Sequence, residues 1–103
     1  MSRIIFTEAA DADAASIFDE LYTKAGKPTV VKYRASFKIL YDNLAAFPDS
    51  GAPRPKIGAG IRIGIVSPYI VITRHAEPDG VVTVLRIVHG RRRITGKMLR
   101  SAP

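Results

Sequence analysis

Arg86 and His89 stand inside an apolar run, Val84-Leu-Arg-Ile-Val-His89, which opens through Gly90 into three consecutive arginines, Arg91 to Arg93. A strand that spends inward positions on a guanidinium and an imidazole gives up core packing, so these residue types point to a site. Guanidinium groups bind phosphates or carboxylates through paired, charge-assisted hydrogen bonds, and each such bond contributes about 1.5–3 kcal/mol when partly buried. Histidine titrates near neutral pH and is the one group of this run able to act as acid or base there. Two plainer alternatives stay open. Arg86 could be paired inside the fold, with Glu77, Asp79 or an N-terminal acid as its partner, and His89 could be a packed, hydrogen-bonded structural histidine.

The charge distribution favours a contact surface. Residues 1–53 carry six Lys or Arg and seven Asp or Glu, whereas residues 54–103 carry ten and two, so the whole excess of +7 lies in the second half. A field of that sign attracts phosphates or acidic protein segments. The chain has 103 residues, 47% of them apolar, which predicts one domain spanning 1–103 with a modest core. It has no cysteine, which removes disulfides, thiolate metal sites and a cysteine nucleophile. No His/Asp/Glu cluster has metal-ligand spacing, and Gly58 and Gly60 lack the helix and Gly-Lys-Ser/Thr that a phosphate loop needs, so neither metal nor cofactor is expected. With no long apolar run and no signal-peptide pattern, a cytoplasmic location is the expectation.

Several elements must hold these residues in place. Arg3 to Thr7 reads as a short strand, with Thr7 as helix cap and Glu8, Asp11 and Asp13 at the positive end of the helix dipole. Ala14, Ile17, Phe18, Leu21 and Ala25 recur at helical spacing, and so do Tyr33, Phe37, Leu40, Tyr41 and Leu44. Between them Gly26 suits a helix end and Pro28 a first turn, which predicts an antiparallel helical hairpin ending at Phe47-Pro48. Asp49 to Lys56 reads as a connector. Strands are predicted over 61–66, 69–75 and 81–88, with turns at Ser67-Pro68 and Glu77-Pro-Asp-Gly80. The Ile61, Ile63 and Ile65 face of the first of these strands is the expected cover for the helices, with Arg62 and Gly64 on the other face. Ile94 to Arg100 suits one or two helical turns, and Ser101 to Pro103 a frayed end. The expected fold is α+β: an N-terminal strand and a helical hairpin packed on an antiparallel sheet (β-α-α-β-β-β), with a C-terminal tail or short helix that buries little.

Arg54-x-Lys56-Ile-Gly, Gly60-Ile-Arg62, Pro68-Tyr69-Ile-Val-Ile-Thr-Arg74 and Val84-Leu-Arg86-Ile-Val-His89-Gly-Arg-Arg92 occur in this order. Together with the helix exit Phe47-Pro48-x-x-Gly51, the set resembles the ParE/RelE superfamily of toxins from type II toxin–antitoxin systems, and the His-Gly-Arg-Arg ending resembles the ParE branch. The resemblance implies a cognate ParD-like antitoxin, with a DNA-binding half and an acidic segment that wraps the toxin in a hetero-oligomer. DNA would be contacted only through that antitoxin, and no membrane would be involved. It further implies an N-terminal strand beside the last one, a role in plasmid stabilisation and growth inhibition through DNA gyrase.

The RelE branch cleaves mRNA on the ribosome, and the resemblance matches Arg62 and Arg86 to sheet arginines used there for phosphate, and Lys56 to a lysine-bearing segment. Cleavage through the 2′-OH needs a base, a cation for the developing charge and an acid for the leaving oxygen. Arg62, Arg86 and His89 would form that set in a RelE-like mRNA endonuclease. The RelE branch also places a tyrosine after the last strand, where this chain has Gly90-Arg-Arg-Arg-Ile-Thr-Gly-Lys97. The expectation is therefore a non-enzymatic toxin whose target- or antitoxin-binding surface is Lys56, Arg62, Arg86, His89, Arg91, Arg92 and Arg93. Arg62 and Arg86 would form a concave floor and the last three arginines its rim.

Overall fold

The structure is a computed structural model and describes residues 2–76 and 80–100. The chain runs β1 (Arg3–Phe6), α1 (Glu8–Ala46), β2 (Ala52–Pro53), β3 (Ile61–Val66), β4 (Tyr69–Ala76), β5 (Val81–His89) and α2 (Gly96–Arg100). One five-stranded sheet has the order β1-β5-β4-β3-β2. β1 pairs parallel to β5 through Phe6 opposite Val84, and the remaining pairs are antiparallel. Of the expected Glu77 to Gly80 turn, residues 77–79 lie outside the described residues, as does the 101–103 end; Gly80 has φ 65°.

Thr7 starts α1 as expected: its hydroxyl oxygen accepts from the Ala10 amide at 3.0 Å and donates to the Leu85 carbonyl at 2.8 Å. One side chain thus caps the helix and fastens it to β5. The helical region differs from the expected pair of helices with a linker. It is one 39-residue element interrupted only at Gly26, where φ is 81° and ψ is 178°. A straight helix of that length would be about 58 Å long, yet the longest dimension of the molecule is 41 Å. The Phe18 and Phe37 rings meet at 5.7 Å and Arg34 lies 5.0 Å over Phe18, so the halves before and after Gly26 lie side by side. Only a residue without a side chain reaches that φ cheaply, and Pro28 then starts the second half with its φ already set. Phe47 donates its amide to Asn43 O at 2.8 Å, and Pro48 prevents another turn.

The sheet is covered on both faces, and not as the isoleucine pattern suggested. α1 packs on the face of Val66, Val71, Val84 and Ile87, with Ala10, Phe37 and Leu40 against them. Gly64 explains the choice: a Cβ there would lie 2.8 Å from Leu40 Cδ1, so the glycine is the notch that admits the helix. Ile61 and Ile63 point to the opposite face with Ile72 and Val88, under Ile94, Met98 and Leu99 of the C-terminal tail. The expectation that the tail buries little is thereby corrected: it closes the second core. The third isoleucine, Ile65, is 66% exposed. The expected Asp49 to Lys56 connector also contains β2, whose two residues pair with Ile63 and Arg62.

Candidate functional site

Beyond Phe6, β1 no longer covers the edge of β5, and α1 side chains take over the ladder. After Thr7 takes the Leu85 carbonyl, Asp13 accepts the Ile87 amide at 2.9 Å. The same carboxylate receives Arg86 Nε at 2.7 Å and Arg86 Nη2 at 3.0 Å, a bidentate pair whose side chains are only 14% and 16% exposed. These bonds from Asp13 raise the Arg86 pKa above its ordinary value against the opposing effect of burial. Arg86 therefore serves as a strap between α1 and β5, with an N-terminal acid as partner, and its guanidinium fork is filled.

Arg62 is also engaged within the chain. Its Nη1 donates to the carbonyls of Asp49 at 2.9 Å and Gly51 at 2.8 Å, and its Nε lies 3.7 Å from the Asp49 carboxylate. His75 Nδ1 reaches the same carboxylate at 3.0 Å. Two backbone carbonyls of the α1–β2 connection are satisfied this way, which adds to the backbone ladder that pairs β2 with β3. Arg62 and Arg86 thus face different carboxylates on opposite sides of the sheet's centre, and the concave floor they were expected to share is absent.

His89 is exposed and lies opposite Tyr69, their ring centroids 5.9 Å apart and nearly perpendicular. Its Nδ1 accepts from the Arg91 amide at 3.1 Å, and Arg92 donates its amide to the His89 carbonyl, so the imidazole folds the chain into the arginine run. Tyr33 sits 5.8 Å from Tyr69, whose pKa is raised first by burial and then by Tyr33 and Glu20. Arg91, Arg92, Arg93 and Lys56 are exposed. From the level of Arg62, which pairs with Thr73, to that of His89 is four residues along β4, about 13 Å, and two strands across, about 10 Å. The three candidate nuclease groups are therefore dispersed.

Sequence reasoning kept open an N-terminal acid as the partner of Arg86 without singling out Asp13, which it read as a helix-dipole acid, and it placed Tyr69 early in another strand. It missed a groove. β2 pairs only with Arg62 and Ile63, so β3 from Gly64 onward has no neighbour on its outer edge among the described residues. By antiparallel alternation the Ile65 N–H and C=O point outward there, as those of Ile63 do toward β2. Beside this edge runs the second half of α1, and together they line a groove of about 870 Å³ with Lys32, Tyr33, Ser36, Ile39, Leu40, Ile65 and Val66. Ile39 and Ile65 are 70% and 66% exposed. Among the described residues no group of three His, Cys, Asp or Glu is placed to hold a metal, and no helix is long and apolar enough to cross a membrane.

A small α+β domain with a helix layer broken at one glycine, a β-meander and a cationic C-terminal segment fits the build that the resemblance to toxin–antitoxin toxins implies. The model of the ParE toxin family of the type II parDE system matches residues 4–94, so the chain belongs to that family. Toxin ParE3 of Caulobacter vibrioides is 26% identical over 98 residues, 95% of this chain and 96% of that protein. The fold matches a chain of the chromosomal ParDE system of P. aeruginosa with a TM-score of 0.71 and 23% identity, over 86% of this chain and 96% of that one. It also matches a chain of the RelBE2 toxin–antitoxin complex of Mycobacterium tuberculosis, with a TM-score of 0.63 and 20% identity, over 85% and 96%.

Proposed function

We propose that this ParE-family toxin inhibits growth by binding DNA gyrase, without cutting RNA, and that a cognate ParD-like antitoxin with an acidic C-terminal segment silences it. The dispersal of Arg62, Arg86 and His89 carries the non-enzymatic part: the two arginines spend their guanidinium groups on holding the fold together, and His89 lies apart from both. Gyrase itself rests on the resemblance to the ParE branch. The exposed cations Lys56 and Arg91 to Arg93, with His89, form the target-facing surface, while Arg62 and Arg86 position the elements beneath it.

The groove between α1 and the open β3 edge supports the antitoxin part. An extended segment can pair with the Ile65 backbone, set an apolar side chain on Ile39 and Ile65, and place a carboxylate near Lys32. Such a module acts in the cytoplasm and needs neither metal nor cofactor.

A brief pulse of expression, followed by macromolecular synthesis and mRNA mapping, tests the mode of action. DNA-damage signalling with intact mRNA is expected, and His89→Ala should keep toxicity within tenfold of wild type. Prompt ribosome-phased mRNA cuts would establish the RelE-like endonuclease, whereas a larger loss in a folded His89→Ala protein with mRNA intact would make His89 a principal target contact.

A further inference from the structure

The two layers of the molecule carry different electrostatics. In α1, Glu8, Asp11, Asp13, Asp19, Glu20 and Asp42 offset five Lys or Arg, and Lys24–Glu20 and Lys38–Asp42 are paired on its surface. Beyond α1, Asp49 is the one carboxylate among the described residues, and Arg62 and His75 already occupy it. Arg54, Lys56, Arg74, Lys97 and Arg91 to Arg93 have no acidic partner among the described residues.

These cations share the face covered by the tail. Arg74 follows Ile70 and Ile72 at two-residue spacing on β4, and its guanidinium lies beside Gly58, lining with Leu85 and Leu99 a cleft of about 250 Å³. Arg54, Lys56 and Lys97 are exposed on the loop and short helix at this end. The tail leaves β5 beside Pro68, where Gly90 donates its amide to the Pro68 carbonyl, so Arg91 to Arg93 stand at the other end of the face. The step from Tyr69 to Arg74 makes this separation about 17 Å. A cationic stripe of that length spans several phosphates of a duplex, in which one charge falls every ~1.7 Å of axis.

We propose that this face binds the phosphate backbone of double-stranded DNA without reading its sequence. A duplex fits better than a single strand because binding a single strand relies on bases stacking on aromatic rings. The Phe18, Tyr33, Phe37, Tyr41 and Tyr69 rings all pack in the α1 layer, away from this face. The family resemblance implies DNA contact through the antitoxin alone; the charge layout adds a contact of the toxin's own. It shares Lys56 and Arg91 to Arg93 with the proposed target-facing surface but does not depend on gyrase being the target.

The test uses the purified protein and a fluorescent mixed-sequence 20-base-pair duplex, read by anisotropy from 50 to 200 mM salt. Binding in the micromolar range is expected, unchanged when the sequence is scrambled, and weakening about 100-fold across the salt range if roughly four phosphates are neutralised. A triple Arg54→Ala, Arg74→Ala, Lys97→Ala variant, shown by circular dichroism to be folded, should bind at least tenfold more weakly, with a salt slope smaller by about three. No binding at 50 mM salt, or a folded triple variant that binds as wild type does, would overturn the proposal. Equal or tighter binding of single-stranded RNA, or displacement of the duplex by poly-glutamate at equal charge, would also overturn it. A parallel pull-down with gyrase free of DNA reports on the target reading separately.

Discussion

The two faces of the sheet are both apolar but are covered by different means. On one face, α1 supplies an interlocked set of rings and aliphatics, and its surface charges cancel within the helix. On the other, a five-residue helix and a few tail residues place Ile94, Met98 and Leu99 over Ile61, Ile63, Ile72 and Val88, and the exterior is cationic. A thick cover with balanced charge leaves little for a partner to do except fill a groove at its edge. A thin cover with unbalanced charge repels itself and gains from meeting an anion. The contrast assigns stability chiefly to the first face and contact chiefly to the second.

Removing the thin cover is the severest way to break the comparison. Truncation after Gly90 deletes three half-buried apolar side chains and exposes Ile61, Ile63, Ile72 and Val88, which are at most 7% exposed. At about 1 kcal/mol for each partly covered side chain lost, plus the exposed partners, the cost is about 3–6 kcal/mol. That is a large share of the ~5–15 kcal/mol that holds a domain together. Urea unfolding should show the loss, and binding of a hydrophobic dye should rise. An unchanged midpoint would mean that the tail covers nothing and that contact is its whole purpose.

The strap between the thick cover and the sheet comes next. Asp13→Ala strands the Arg86 guanidinium and the Ile87 amide together, at a cost of about 2–4 kcal/mol. Adding Arg86→Met should recover roughly half of it by removing the buried unpaired charge. If Asp13→Ala costs under about 0.5 kcal/mol, which is the scale of a surface pair, Arg86 is available to a partner after all.

Helix and strand positions were legible wherever periodicity repeats. β3 runs over Ile61–Val66 as its alternation implies, and Thr7, Gly26 and Pro48 bound or break α1 through local chemistry alone. Facing was harder. Alternation separates Ile61 and Ile63 from Gly64 but does not say which side meets the helix; that depends on Leu40 fitting the glycine and on the tail closing the other side. Register was harder still. A regular hairpin with Ala76 opposite Val81 would set Val88 opposite Tyr69, and the irregularity at Ile72/Thr73 brings His89 there instead. Asp13 and Arg86 lie 73 residues apart, and no spacing rule joins them. β2 has two residues, one of them proline, too few for any pattern, and Arg62 bonds the carbonyls just before it.

The interior of the thick cover supplies the smallest effect and a pH window. Tyr41 lies edge-on to Phe6 at 5.1 Å and stacks on Phe37 at 6.2 Å, and burial pushes its pKa up to about 12. An exposed tyrosine in the unfolded chain ionises near 10. Below pH 10 both states are neutral and stability is at its full value. Above pH 10 the unfolded chain loses this proton first, so stability falls until the folded group also ionises near pH 12. With allowance for partial solvent access the loss is on the order of 1–2 kcal/mol. Chemical denaturation at pH 9 and pH 11.5 measures it, and Tyr41→Phe should remove most of the difference. A variant that loses as much stability as wild type would mean that Tyr41 is solvated in the folded protein and that the α1 cover is looser than its rings suggest.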